Sequence, residues 1–535
     1  AYGEQSKREV TGAIETLKAD DLKEVPSANI ANLLQGKLSG VSVINTSGSP
    51  GGGGTSITVR GFNSLSIETE RRLSEPLWVI DGIPVPSATS TTTGTNGLAD
   101  LDPNFIESIE ILKDAASASI YGSRAANGVI LVTTKRGKEG RARFSLNYSE
   151  SWSFNPMMPD VTGGVVERRF RNQQLKNFMQ GYRFRAANKA YYYKAPTSYE
   201  EAALQGGSYD AWWNSGKGID VPILQDSLNP FYNNSTNWFD EFMQVGRVRN
   251  INVQASGGTE RCLYNVGLGY YNEKGVMVGT DFTRVNLLGN YTMRPVKGAL
   301  IDHRISLAYT DRGPGRTSYP GIELFDINPY KLSTTLPNVN SAVFDEAMDA
   351  IKGIDQKNYD FKLRNNFTLS YNILPNLKLS TSLGVDYWQN MMDYFRPSYL
   401  SSMKESYVSQ TIGRSVMLLN ENLISYNATW KKHKFDILLG QSIQYDQKDR
   451  TIGLAQGGAS DYIHYAVSFP EYVIDVDPVT GAETVRVMQG FQSSMEKKTL
   501  VSWFGRLNYV FDNKYLLSVT LRRDGSSTFG EDVRW

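Results

Sequence analysis

The sequence predicts a membrane β-barrel wall, about eleven strands of it, preceded by a small mixed α/β domain. Three observations carry this prediction. Eleven segments alternate apolar and polar side chains over roughly ten residues each, the length a tilted strand needs to cross a bilayer. The links between them are short on one edge and mostly long on the other. No apolar run approaches the roughly 18 residues that a membrane-crossing helix needs.

The alternation is clear in Arg261 to Tyr271. Cys262, Tyr264, Val266, Leu268 and Tyr270 form the apolar set, with Arg261, Asn265, Gly267 and Gly269 between them. In Asn376 to Trp388 the apolar set is Leu377, Leu379, Leu383, Val385 and Tyr387, set against Lys378, Ser380, Ser382, Gly384 and Asp386. A period of two gives each strand one greasy face and one wet face. The strands are expected near 143–154, 247–257, 261–272, 282–293, 301–311, 361–373, 376–388, 420–430, 434–446, 499–510 and 514–524.

The connections decide between a soluble sheet and a lipid-facing wall. Short links fall at Gly257–Glu260, Arg294–Ala299, Ile373–Asn376, Lys431–Lys434 and Phe511–Asn513. Between them lie links of about 155–246, 273–281, 312–360, 389–419 and 447–498. That parity belongs to an up-and-down outer-membrane barrel, with tight periplasmic turns and long extracellular loops. A soluble sandwich has no such parity. Tyr270, Tyr387, Trp430 and Tyr509, near strand ends, are expected in the interfacial girdles, and Arg304, Arg364, Lys378 and Arg522 as ordinary lumen lining. Barrels close, because an open edge in lipid leaves backbone groups unsatisfied. About eleven strands do not close, so either the chain is part of a longer one, the favoured expectation, or a second polypeptide supplies the remainder.

The first 140 residues read differently. Ile30, Leu33, Leu34 and Leu38 are spaced for one face of a helix over Ser27 to Leu38. A Gly-rich loop, Ser47 to Gly54, leads to a strand at Ser56 to Gly61. Pro76 to Val85 is a hairpin whose Asp81-Gly82 pair suits the positive φ of a tight turn. Asp102-Pro103 opens a helical turn before a strand at Ser108 to Leu112. A short helix at Ala115 to Tyr121 and a buried strand at Gly128 to Thr134 complete the domain.

Composition excludes several classes. The net charge of +1 carries no basic field for nucleic acid. One cysteine, Cys262, excludes an intrachain disulfide framework, and the three histidines, His303, His433 and His464, are too scattered for a His-rich metal site. No cofactor and no metal are expected. The mean hydropathy of -0.37 argues against a helical membrane protein but not a β-barrel, whose apolar residues are diluted by alternation. Gly51 to Gly54 lacks the Gly-Lys-Ser/Thr ending of a phosphate loop. Asp81 is turn chemistry rather than a catalytic carboxylate. Glu107, Glu110, Lys113 and Asp114 read as a charged strand and helix cap, and no nucleophilic triad has motif spacing. An enzyme is not expected.

The segment from about 155 to 246 is rich in aromatic residues, among them Tyr191, Tyr192, Tyr193, Trp212, Trp213, Tyr232 and Trp238. Flat rings stack on sugars or grip peptide side chains, and Asn233, Asn234 and Asn237 beside them bond hydroxyls or amides. The same rings would equally serve the packing of the loop itself or the interface with a lid.

Residues 25–43, Ile57-Thr-Val-Arg-Gly61, Pro76-Leu-Trp-Val-Ile-Asp-Gly82 and 109–134 occur in an order and spacing that resembles the plug domain of TonB-dependent outer-membrane transporters, in the SusC-like branch of Bacteroidetes. Gly257-Gly-Thr-Glu260 and Arg522-Arg-Asp-Gly-Ser-Ser527 are similar to barrel sequence of that branch, so the resemblance spans the chain.

The resemblance implies a roughly 22-stranded barrel with the mixed α/β plug inside its lumen, in the bacterial outer membrane. The expected division is a linker after the TonB box at 1–20, the plug at 21–140, and the first half of the barrel at 141–535. It implies TonB-driven import of oligosaccharides under a SusD-like surface lipoprotein, or of oligopeptides by the same mechanism, with outer-membrane lipid around the wall. Ala1, Tyr2 and Gly3 would be TonB-proximal, with the apolar part of the box upstream. Plug residues Arg60, Asp81 and Arg124 would be latch or structural positions, the two arginines pairing with wall carboxylates. A different class of function, an uncoupled surface adhesion or binding protein, shares the same fold. Siderophore or cobalamin uptake fits the motifs less well.

Overall fold

The computed structural model describes residues 14–18, 30–45, 48–51, 55–61, 75–85, 97–155, 184–186, 189–191, 243–313, 353–401, 404–465, 472–476 and 483–530, with a few isolated positions between.

The N-terminal domain is built on β1 (Ile14–Lys18), β2 (Val41–Asn45), β3 (Thr55–Val59), β4 (Leu77–Ile80), β5 (Ile83–Val85), β6 (Ile106–Leu112) and β7 (Val129–Thr134). Five of these form a sheet in the order β1-β6-β7-β4-β5, while β2 and β3 pair separately. In β6 every apolar residue, Ile106, Ile109, Ile111 and Leu112, is buried, and Glu107 and Glu110 alternate outward. Ile30, Leu34, Trp78, Ile80, Ile83 and Leu98 complete the core. The β4–β5 turn is the expected one, with Asp81 at φ 50° and Gly82 at φ 93°. Asp102 caps the single turn Pro103–Phe105, accepting from the Asn104 amide at 2.8 Å. Among the described residues of the helix expected over 27–38, Ile30–Leu33, α1, is regular, and it ends early because Gly36 turns the chain at φ 71°. β1 falls inside the stretch read as linker and is an edge strand of the sheet.

The wall follows: β8 (Gly140–Ser153), β9 (Phe184–Ala186), β10 (Lys189–Tyr191), β11 (Gly246–Thr259), β12 (Cys262–Lys274), β13 (Asp281–Met293), β14 (Ala299–Arg312), β15 (Asp355–Leu374), β16 (Leu377–Arg396), β17 (Tyr407–Trp430), β18 (His433–Gln456), β19 (Tyr472–Val476), β20 (Glu483–Val487), β21 (Gln489–Phe511) and β22 (Tyr515–Ser526). Eleven of them make one antiparallel meander from β8 to β22, with β9–β10 and β19–β20 as separate hairpins in two of the long links. All eleven expected strands are present.

The wall has two faces. Leu268, Leu379, Leu383, Leu418, Ile424, Leu439, Trp503 and Leu517 are exposed on the outer one, the apolar band that lipid covers. Trp430, His433, Phe435, Tyr509 and Phe511 gather at the turn edge, with His433 4.9 Å from the Phe511 ring centre. The inner face carries the N-terminal domain, on polar side chains of β13 to β15 and on apolar ones of β17, β18 and β21.

The strands run further than expected on the loop edge. β17 and β18 have 24 residues each, roughly 80 Å of extended chain and well beyond a bilayer's thickness. There the outward side chains turn polar. Arg414 meets Asp449 at 2.6 Å across β17 and β18, and Gln410 meets Asp393 at 2.8 Å across β17 and β16. Past the lipid the ladder continues, and polar pairs interrupt the apolar alternation.

Candidate functional site

The inner face of β15 presents Asp360, Lys362, Arg364 and Asn366 at every second position, and each reaches the N-terminal domain. Asp360 accepts from the Thr93 hydroxyl at 3.0 Å and from Trp388 Nε1 at 3.0 Å. Lys362 donates to the Gly97 carbonyl, lies 3.3 Å from Asp100, and sits over the Trp388 ring at 4.2 Å. Arg364 spans Asp100 at 3.4 Å and Asp386 at 3.0 Å. Asn366 Nδ2 donates to the Asp81 carbonyl at 2.7 Å. Burial raises the Asp100 carboxyl, but the Lys362 ammonium and Arg364 guanidinium outweigh it and hold the group below its usual range.

One strand over, Arg304 donates to Asp81 at 2.7 Å and to Asp302 at 2.8 Å. Asp81 also accepts from the Thr134 amide at 3.1 Å and hydroxyl at 2.7 Å. The hairpin turn thereby ties β4, β7 and the wall together. At the loop end of β14, Arg312 donates to the carbonyls of Pro50 at 3.2 Å and Thr93 at 3.1 Å.

On β13, fully buried Arg284 lies 3.3 Å from fully buried Asp102 and donates to the Ala99 carbonyl at 2.9 Å. The Asp102–Phe105 turn sits on two glycines of β12. A Cβ at Gly267 would lie 2.4 Å from Phe105 Cε1, and one at Gly269 would lie 2.8 Å from Asp102 Oδ2. Here glycine supplies room rather than freedom.

The opposite side is apolar. Leu438 and Phe504 pack with Ala118, Ile120, Tyr121 and Ala125 of the N-terminal domain, with Leu423 against them. Met417 joins the domain's main core. Arg522 donates to the Ile120 carbonyl there.

Of the residues singled out from sequence, Asp81 sits at the interface as described. Arg124 reaches the wall, donating to the side-chain oxygen of Gln444. Arg60 is half exposed and pairs with Asp114 of its own domain. Among the described residues, Arg284, Arg304, Lys362 and Arg364 of the wall meet the carboxylates of Asp102, Asp81 and Asp100 on the domain, pairs in which the cation belongs to the wall. Arg304, Arg364 and Arg522 are corrected from ordinary lining to interface residues. Asp100, Asp102, Arg284 and Lys362 were missed, although charged residues repeating at every second position of β15 were a visible signal. Ala1, Tyr2, Gly3, Tyr192, Tyr193, Trp212, Trp213, Tyr232 and Trp238 lie outside the described residues. Tyr191 ends β10, and its side chain lies outside them too. Among the described residues no group of acidic, His or Cys side chains could hold a metal ion.

A sheet of long antiparallel strands with an apolar outer face, carrying a small α/β domain on ionic contacts from its inner face, is the architecture of the TonB-dependent receptors of the bacterial outer membrane. Within that class the chain is SusC-like. Residues 6–129 match the TonB-dependent Receptor Plug Domain. The chain is 27% identical to the TonB-dependent receptor SusC of Bacteroides thetaiotaomicron, over 100% of this chain and 49% of that protein. It is 28% identical to the TonB-dependent receptor P26 of Formosa agariphila, over 100% and 48%. The RagAB peptide importer in its open-open state has the same fold, with a TM-score of 0.74 at 22% identity, covering 100% of this chain and 57% of that one. The chain thus spans about half the length of the curated relatives it matches.

Proposed function

We propose that the protein imports oligosaccharides across the outer membrane, driven by TonB, with a SusD-like lipoprotein closing the extracellular side. The observation that carries this reading is the plug's polar seat on β13 to β15. Hydrogen bonds and ion pairs there exchange for water at small net cost, so the seal can open and re-form.

In this reading TonB engages the chain near Ala1, Tyr2 and Gly3, and a pull from there is felt first at β1. Five residue pairs zip β1 to β6. The Glu15–Lys113 pair, with Ser39, clasps it. The hydrogen bond from Lys113 holds the Glu15 carboxyl below its usual range. The linker (1–20), plug (21–140) and wall (141–535) then act as handle, stopper and conduit. Arg60 and Arg124 keep the latch role in a modified form, Arg60 bracing the plug and Arg124 tying it to Gln444.

The substrate class rests on Tyr191, Tyr192, Tyr193, Trp212, Trp213, Tyr232 and Trp238 as stacking surfaces for sugar rings. A second reading, oligopeptide import, is favoured by the fold neighbour RagAB, itself a peptide importer. A binding screen of the receptor with its lipoprotein, using defined oligosaccharides and peptides, separates the two. Sugar binding that falls when Trp212 and Trp213 become alanine supports the first. Peptide binding alone supports the second, and binding of neither overturns both.

A further inference from the structure

The plug's two seats differ in chemistry, and that difference marks a route. On the inner face of β11 to β15, carboxamides occur in two cross-strand rows. Asn252 pairs with Gly269, which pairs with Asn286. Four residues along, Asn265 pairs with Asn290, which pairs with Arg304, which pairs with Asn366. The rows lie roughly 13 Å apart.

Asn252, Asn265, Asn286 and Asn290 are all buried beneath the plug. Asn265 and Asn290 donate to the Lys135 carbonyl at 2.7 Å. Yet the side-chain oxygens of Asn252, Asn286 and Asn290 accept no hydrogen bond among the described residues. Buried acceptors in that condition gain by hydration.

The other seat behaves oppositely. Separating Met417, Leu423, Leu438 and Phe504 from the plug exposes hydrocarbon to water, which is unfavourable in proportion to area. Arg522 and Arg124 add tethers on that same side.

We propose that the cargo passes between the plug and the carboxamide face of β11 to β15, while the plug stays seated on β17, β18 and β21. This rests on the import reading above. A carboxamide is neutral, donates and accepts, and so matches the hydroxyls of an uncharged, hydroxyl-rich oligomer. Opening on this face places five such groups along the path, beside Arg284, Arg304, Lys362 and Arg364, whose ion pairs to the plug exchange for water, and leaves the greasy seam dry.

The test uses the full receptor in its own outer membrane, with every native cysteine, Cys262 among them, replaced by Ser as background. Single cysteines are placed by Asn286→Cys and Asn290→Cys on one face, and by Met417→Cys and Leu438→Cys on the other. Each is exposed to a membrane-impermeant maleimide in energised and de-energised cells supplied with a malto-oligosaccharide series or a mixed oligopeptide pool, with uptake measured in parallel. Variants are compared only at matched surface expression. The expected result is labelling at Asn286→Cys and Asn290→Cys that rises roughly tenfold on energisation, with Met417→Cys and Leu438→Cys unchanged. All four rising together overturns the route while leaving import intact. None rising while uptake proceeds also overturns the route. None rising with no uptake of either pool overturns the route and the import reading together.

Discussion

Asp81 and Arg304 join the plug to the wall at 2.7 Å, in a setting where both side chains are largely buried. Asp81 keeps its two Thr134 bonds whatever happens to Arg304. Arg304→Met therefore leaves a buried carboxylate held but uncompensated. The expected cost is about 3 kcal/mol of plug stability. Chemical unfolding in detergent, followed by a probe on the plug, checks this. A double-mutant cycle with Asp81→Asn should return a coupling of about 1 kcal/mol or more. An unchanged midpoint in both variants would show that the pair does not hold the plug.

Gly267 makes room for Phe105, and the room is specific. A Cβ there would come within 2.4 Å of the Phe105 ring edge. Gly267→Val should displace the Asp102–Phe105 turn and destabilise the seated plug by roughly 1–3 kcal/mol. Gly453 has nothing within 4 Å of a built Cβ, so Gly453→Ala is a control expected to have little effect. Comparable losses from the two would refute the packing argument.

Acid should loosen the β15 side. Asp100 is held below its usual range by Lys362 and Arg364. Its stabilising contribution is complete above the unfolded carboxylate pKa of about 4 and is lost as pH falls through the lower folded value. Glu15 at the β1 clasp has the same sign. Plug stability should be flat with respect to these two groups between about pH 6 and 8 and decline below about pH 4. The decline should be shallower in Asp100→Asn. A slope unaffected by that change would remove Asp100 from the account.

The lipid-facing assignment is tested by position. Leu383 is exposed on the outer face, and Leu383→Arg should cost roughly 2–4 kcal/mol at the bilayer midplane. Ser382 lies on the opposite face and its replacement by Arg should cost far less. Equal effects on membrane assembly would contradict the facing.

Much of this architecture was legible in the chain. The strands announced themselves wherever lipid imposed an alternation, as at Leu379 and Leu383, and the Asp81-Gly82 turn followed from positive φ alone. The loop-edge extensions of β17 and β18 were not legible, because beyond the lipid Arg414 and Asp449 face outward without an apolar signature. β1 was missed because an edge strand with only Leu17 buried carries little pattern. The partners across the plug and wall were hidden for a different reason. Arg60 and Arg124 stood out by motif, yet which residue meets which carboxylate depends on register across β13, β14 and β15. Only folding sets that register, and it gave the cations to the wall.

The central claim is energised import by a receptor whose plug unseats and reseats. Accumulation of a fluorescent oligosaccharide panel by cells carrying the full receptor, before and after collapse of the proton-motive force, tests it most directly. The account predicts internal accumulation that stops on collapse while surface binding persists. Accumulation that continues unchanged without the gradient, or surface binding never followed by entry, would contradict it.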